Sequence, residues 1–375
     1  MNIKSPMKTA RLLLISFAVA PLNAEPAKDL PPVSIGRSLD NNVNSPMVAK
    51  DAGGTLGSIQ RFDPALDALV AADAKVEILV EGLQWAEGPI WYEGGLNFSD
   101  VPQNTMYRWT PEKGVHPYLK PSGYTGATPR GGEPGSNGLT LDHQNRLTIC
   151  QHGDRRVVRL EKDGRLTVLA DRYHGMRFNS PNDLCYDAKG NLYFTDPPYG
   201  LEGENHDRNK EMDMNGIYMI RSGGEMVRLN SGQIVYADGK TAPLKYPNGV
   251  ALSPDEKTLY ICVSDPDHPV YLKYDVQPDG NIANGKVFFD TAEFFAKKLP
   301  GLPDGIKVDV HGDVWATGPG GVFIFSSAGK HLGTIVTGDR TSNINWGDDG
   351  STLYICRNHN VCRIKTLTKG VMAGA

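Results

Sequence analysis

Residues bearing side-chain oxygens occupy one fixed place in six copies of a single pattern. Glu87, Asn137, Asn182, Asn248, Asp304 and Asn343 each stand ahead of a brief apolar stretch, a turn and a second apolar stretch, as in EGPIWYEGGLNFSD and NDLCYDAKGNLYFTD. Two carboxylates and several amides offer oxygen donors of low total charge. Such a set suits a hard divalent cation, and Ca²⁺ fits best because it accepts about six to eight flexibly placed oxygens. Mg²⁺, Mn²⁺ and Zn²⁺ stay open as alternatives, although no His–Cys cluster has zinc spacing. A cation there would polarise an ester-like carbonyl and hold the developing oxyanion, while a carboxylate or histidine takes a proton from water.

Asn-Gly, Asn-Asp and Asp-Gly are also ordinary turn dipeptides. A turn accounts for any one of them, yet a turn needs no particular residue at the same place in every copy. It also leaves Glu87 unexplained, and it is the strongest reading only at Asn343, where the following residues diverge. A second set, Asp100, His152, Asp196, Asp265 and the segment 357–359, follows the second apolar stretch of its copy. His152 is the best of these for proton transfer, because imidazole titrates near neutral pH. A lone loop histidine is as readily a hydrogen-bonded surface residue. Asp196, in FTDPPYG, reads either as a substrate-binding group or as the stabiliser of its Pro-rich turn. Trp85, Tyr124, Tyr199 and Trp346 are pocket walls or inter-blade core.

These residues need a scaffold that repeats. The copies begin 39 to 66 residues apart, and a repeat of roughly 40–50 residues with several short strands predicts a β-propeller. Each copy sketches as one blade of four antiparallel strands, the first lining a central channel. The loop leading into that strand and the loop between strands two and three then lie on one face, where the six oxygen-bearing residues converge. The last copy holds only three strands, INWG, TLYICR and VCRIKTL. The strand VEILVEG (76–82) supplies its fourth and closes an all-β, six-bladed ring without open edges. The chain thus divides into a targeting segment (1–24), an N-terminal arm with a short helix (25–75) and the propeller (76–370). Within the arm, residues 25–60 read as extended or disordered, and DPALDALVAADA (63–74) as a short helix capped by Asp63. Residues 232–247 read as a loop insertion beside the active face.

Composition bounds the partners. The chain has 375 residues, 39% of them hydrophobic, and a formal net charge of -4. That balance argues against non-specific binding to nucleic acid or to an anionic membrane, both of which favour a basic face. Lys4, Lys8 and Arg11 precede an apolar run from Leu12 to Leu22, too short to span a bilayer, with Ala24 as a cleavage point. The expectation is export to a periplasm or the outside, with no membrane insertion after removal of the segment. The oligomeric expectation is a monomer or small homo-oligomer. Of five cysteines, Cys150, Cys185 and Cys262 read as buried thiols, while Cys356 and Cys362 flank a turn across which they could pair. No G-x-S-x-G elbow, P-loop or dinucleotide fingerprint is present, which disfavours serine-hydrolase and nucleotide-driven chemistry.

The segments EGPIW, NSPNDLCYDAKGNLYFTDPPYG, YPNGVALSPDEKTLYICVSD and LPDGIKVDVHGDVWATG resemble the family of gluconolactonases, senescence marker protein and luciferin-regenerating enzyme. The resemblance covers residues 76–367, and the ordered set EGP, PND, PNG and PDG is its specific part. It implies a six-bladed propeller with a divalent cation, usually Ca²⁺, on the channel axis, and hydrolysis of sugar lactones and related cyclic esters. By that resemblance Glu87 and Asp304 are the metal carboxylates, Asn248 an amide ligand, and Asn182 an amide that binds metal or substrate. Asp304 is also the implied general base, with His152 as the alternative. Asn137 and His152 match a gluconolactonase-like branch and join Asn182 and Asp196 as substrate-binding candidates. The expected partner is a small lactone of the glucono-1,5-lactone kind. An organophosphate or hydrophobic lactone, or a ligand-binding propeller without catalysis, are the rival readings.

Overall fold

The structure is a computed structural model, and it describes residues 48–374 apart from residue 231. The expected targeting segment and the start of the arm lie outside the described residues. Six blades form the expected propeller. Their innermost strands are Ala86–Tyr92, Ser136–Leu141, Leu184–Tyr186, Pro247–Leu252, Ile306–Val308 and Thr341–Gly347. In blade six the order runs inward from Val76–Glu81 through Asn360–Lys365 and Thr352–Arg357 to Thr341–Gly347. The N-terminal strand therefore closes the ring, as the missing fourth strand predicted.

Blades pack face to face, so their second strands are buried on both sides. Every residue of Gly95–Asp100 is buried, as in Leu192–Asp196 and Val314–Gly318. Trp315 and Trp346 meet edge to face at 5.1 Å between adjacent blades, a contact that adds about 0.5–1.5 kcal/mol beyond area burial. Trp346 is thus core rather than a pocket wall, and its indole N–H donates to the Val308 carbonyl.

The described part of the arm, from residue 48 on, forms more strand than its composition implied. Ser58–Arg61 pairs with His331–Val336 as a fifth strand on blade five. Lys50–Asp51 and Thr55–Leu56 both pair with Val76–Glu81. The expected helix over 63–74 shrinks to a 3₁₀ turn, Pro64–Ala68, capped by the Asp63 carboxylate on the Ala65 amide at 2.8 Å. Beyond it the Arg61 guanidinium fastens the chain by donating to the Val70 and Ala71 carbonyls at 2.8 Å each. The expected loop insertion contains a hairpin, Gln233–Val235 with Thr241–Pro243, turned through Gly239 at φ 82°.

No pairing of Cys356 with Cys362 occurs; all five cysteines are free thiols. Cys356 stands opposite Val361 and Cys362 opposite Ile355. Successive strand residues face opposite sides, so the two sulfurs lie in different inter-blade cores. Among the described residues no helix is long and apolar enough to cross a membrane.

Candidate functional site

The six repeated residues do head the innermost strands, and all are at least nine-tenths buried. Adjacent blades are stitched together at this level. The Gly138 amide donates to the Asn182 carbonyl and the Gly249 amide to the Asp304 carbonyl, each at 2.7 Å. Hydroxyls near the end of one blade's second strand hold the next blade's leading residue. Ser99 Oγ donates to the Asn137 carbonyl at 3.0 Å and Thr195 Oγ1 to the Asn248 carbonyl at 2.7 Å.

The glycines after the ring residues serve this approach rather than a turn. A Cβ on Gly88 would lie 2.1 Å from the Asn137 carbonyl oxygen, and one on Gly249 2.2 Å from that of Asp304. A Cβ on Gly305 would lie 2.3 Å from Asn343 Oδ1. The turn reading of these dipeptides gives way to one of close blade-to-blade contact.

The side chains divide by whether the protein satisfies them. Asn343 is spoken for: its Nδ2 donates to Glu87 Oε2 at 3.1 Å and its Oδ1 accepts the Ile344 amide at 2.9 Å. It therefore orients Glu87, whose Oε2 also accepts the Gly88 amide at 3.0 Å. Asn248 donates through Nδ2 to Ser264 Oγ at 2.9 Å, and its Oδ1 is buried with no protein partner. Asn182 directs Nδ2 to His152 Nε2 at 3.3 Å and likewise leaves Oδ1 unmet. Both amide atoms of Asn137 lack a protein partner. A buried polar atom without a hydrogen bond costs about 1–3 kcal/mol, so this concentration at one hub calls for a ligand. Glu87 and Asp304 both act electrostatically on Cys356. Burial first, and then the charges of Glu87, Cys362 and Asp304, push the Cys356 thiol well above its ordinary range.

These residues fit an oxygen-seeking cation. Among the described residues no three His, Cys, Asp or Glu side chains gather in a way that could hold a metal; the hub instead supplies two carboxylates together with amide oxygens. That donor set matches a hard ion with flexible coordination.

The second sequence set is largely structural. Both oxygens of Asp196 are occupied, one by the Asn179 amide and one by the Ser180 amide, each at 2.8 Å. Asp196 therefore clamps the loop leading to Asn182 and does not present itself to a substrate. Asp100 takes the Gln84 and Trp85 amides in the same way. Gln151 Nε2 donates to the Ser122 carbonyl and Arg357 Nε to the Thr337 carbonyl, again fastening the leading loop of their own blade. Burial pushes Asp100 and Asp196 each up to about 7, against the pull of their amide partners.

His152 lies one residue past this clamp. Its side chain is fully buried, with Nδ1 3.3 Å from Glu133 Oε2. Glu133 escaped sequence reading because TPRGGEPG is a Pro/Gly loop with no counterpart in the other repeats. Around the same face Tyr199 stacks on Tyr246 at 5.6 Å, Arg130 covers Tyr124 at 5.4 Å and Arg340 covers Trp85 at 5.7 Å. Two surface cavities lie away from the hub. One of about 360 Å³ sits among the turns of the opposite face, by Asp142 and Gly190. The other, of about 680 Å³, lies between the blade-three loop and the inserted hairpin, by Asn205 and Gln233.

Comparison with known proteins points the same way. The region described as SMP-30/Gluconolactonase/LRE-like matches residues 85–359. A gluconolactonase of Zymomonas mobilis is 39% identical over 326 residues, which cover 85% of this chain and 88% of that protein. A pentonolactonase of Haloferax volcanii is 24% identical over 276 residues, covering 72% and 80%. The solved structure of a gluconolactonase from Xanthomonas campestris superposes with a TM-score of 0.71 at 28% identity, covering 84% of this chain and 98% of that one.

Proposed function

The chain belongs to the SMP-30/gluconolactonase/LRE-like family, and from that membership we propose that it hydrolyses a sugar lactone, of the glucono-1,5-lactone kind, to the aldonic acid. Lactone hydrolysis is the coarser reading, supported by relatives named gluconolactonase and pentonolactonase. The finer reading is dependence on a divalent cation, best matched by Ca²⁺, with Glu87, Asn182, Asn248 and Asp304 as its holders. The observation that carries it is the set of buried, unpartnered amide oxygens at the hub, beside two carboxylates.

When bound, the cation would supply Lewis-acid polarisation of the lactone carbonyl. The chain's own residues do the rest. Asp304 accepts a proton from water as the water oxygen bonds to the carbonyl carbon. That proton passes to the ring oxygen as the acyl C–O bond breaks, giving the hydroxy acid. Asp304 is preferred to His152 as this base because both imidazole nitrogens already face partners. Asn137, with amide donor and acceptor both unmatched by protein, suits a substrate hydroxyl that gives and takes a hydrogen bond. This favours a polyhydroxylated lactone over an apolar one. Asp196 is assigned to the scaffold and not to substrate. The basic start and apolar run of the N-terminus support export.

The test is acid release at constant pH across a panel of sugar lactones, aliphatic lactones and organophosphates. Turnover confined to sugar lactones is expected. Hydrolysis of the apolar members alone would reject the substrate assignment, and none at all would reject the enzyme reading.

A further inference from the structure

We propose that Glu133 and His152 are positioning residues that decide which end of the Asn182 amide is offered to the ligand at the hub. The inference rests on the reading of Asn182 as an oxygen donor there. Three side chains stand in series: Glu133 Oε2 lies 3.3 Å from His152 Nδ1, and His152 Nε2 lies 3.3 Å from Asn182 Nδ2. The contact is one of charge: a carboxylate carries no hydrogen to offer, and its negative charge beside Nδ1 favours hydrogen on that nitrogen. Glu133 therefore selects the tautomer with hydrogen on Nδ1 and leaves a lone pair on Nε2. That lone pair takes an N–H of Asn182, and an amide engaged through nitrogen on one side turns its oxygen to the other. The oxygen is the atom that meets no protein donor. With the opposite tautomer, Nε2–H would face Nδ2–H, and the amide would rotate to put its nitrogen toward the ligand. A nitrogen bearing two hydrogens cannot hold a cation.

The surroundings keep the imidazole in this slot. Arg130, from the same loop as Glu133, donates to the Gly153 carbonyl at 3.1 Å and also to the Gly200 carbonyl. These two glycines flank the histidine. A Cβ on Gly200 would lie 2.7 Å from His152 Cβ and 3.0 Å from Cγ, so only glycine leaves the ring in place. The loop before blade two thus supplies both the charge that sets the tautomer and the clamp that fixes the plane. Partners of this kind orient ligands elsewhere, and their loss lowers metal affinity by about 10–100-fold.

Two readouts test the proposal on the full-length protein. The first is the long-range ¹H–¹⁵N spectrum of the ¹⁵N-histidine-labelled, cation-free protein. His152 is expected with hydrogen on Nδ1; hydrogen on Nε2 overturns the proposal. The second is calorimetric Ca²⁺ titration of wild type, Glu133→Gln, Asn182→Ala and the double variant. Glu133→Gln, whose amide can donate and so permits the wrong tautomer, is expected to bind about tenfold more weakly. The double variant is expected to bind no more weakly than Asn182→Ala alone. Additive losses would show that Glu133 acts on stability and not through Asn182. Should Glu133→Gln fail to fold, Gly200→Ala, which displaces the ring and leaves Glu133 intact, takes its place in the cycle. If wild type binds no cation, the proposed function falls, and the tautomer alone decides the positioning claim.

Discussion

The two faces of the propeller use the same residue types to opposite ends. On the face away from the leading loops, aspartates sit at the turns between first and second strands and are fully occupied. Asp142 Oδ1 accepts the Gln144 and Arg146 amides at 2.9 Å each, and Asp187 Oδ1 those of Lys189 and Asn191 at 3.0 and 2.8 Å. Asp309 Oδ1 holds the His311 and Asp313 amides at 2.9 and 3.0 Å, and its Oδ2 accepts from Thr368 Oγ1 at 3.1 Å. At the hub, Asn137, Asn182 and Asn248 are equally buried, yet their side-chain oxygens meet no protein donor. Asx chemistry that completes a turn on one face is left incomplete on the other. The difference separates polar groups that hold the fold together from those the protein itself leaves unmatched.

The comparison predicts that substitutions at the hub cost function and those at the far turns cost stability. The largest expected effect is at Asp304. Asp304→Asn should lower lactone turnover by about 10²–10⁴-fold with the melting temperature held, read by acid release and calorimetric melting; wild-type turnover would remove Asp304 from the chemistry. Next is Ser264→Ala, which frees the amide nitrogen of Asn248 to rotate. Ca²⁺ affinity should fall by about tenfold in titration, and an unchanged affinity would mean that Asn248 needs no such support. Asp309→Ala should do the reverse. Loss of its amide partners should cost about 1–3 kcal/mol in denaturant unfolding, while turnover per folded molecule stays at the wild-type level.

The smallest effect is expected in the fourth strand of blade five, His331–Val336, which Ser58–Arg61 covers. His331 lies among Phe289, Phe294, Phe323 and Phe325, and burial lowers its pKa to about 4. The folded value is below the unfolded one, so the unfolded chain takes up the proton first as pH falls. Stability is therefore full above about 6.5 and is lost progressively toward pH 4. Melting temperature followed across that window should decline, and His331→Phe should flatten the decline. An unchanged slope would place the acid sensitivity elsewhere.

Much of this division was legible in the sequence. The spacing of Glu87, Asn137, Asn182, Asn248, Asp304 and Asn343 gave away the blade count, the closing strand and the inner ring, because one period governs all of them. Four things were hidden. The arm strand Ser58–Arg61 is short and half-exposed, so no burial pattern marks it. The glycines after the ring residues look like turn formers, and only the neighbouring blade shows that a carbonyl occupies the place of a side chain. Asp196 and Asp100 carry the composition of a site and do the work of clamps, since sequence does not reveal whether a carboxylate faces an amide or a cavity. Glu133 belongs to no repeat, and its meeting with His152 depends on how a Pro/Gly loop folds back.

The central claim is that the hub's unmatched oxygens hold a divalent cation on which lactone opening depends. Acid release from glucono-1,5-lactone, followed before chelation, after chelator treatment and after Ca²⁺ is restored, tests it most directly. Turnover should collapse with the chelator and return with Ca²⁺. A rate that ignores both treatments would contradict the account.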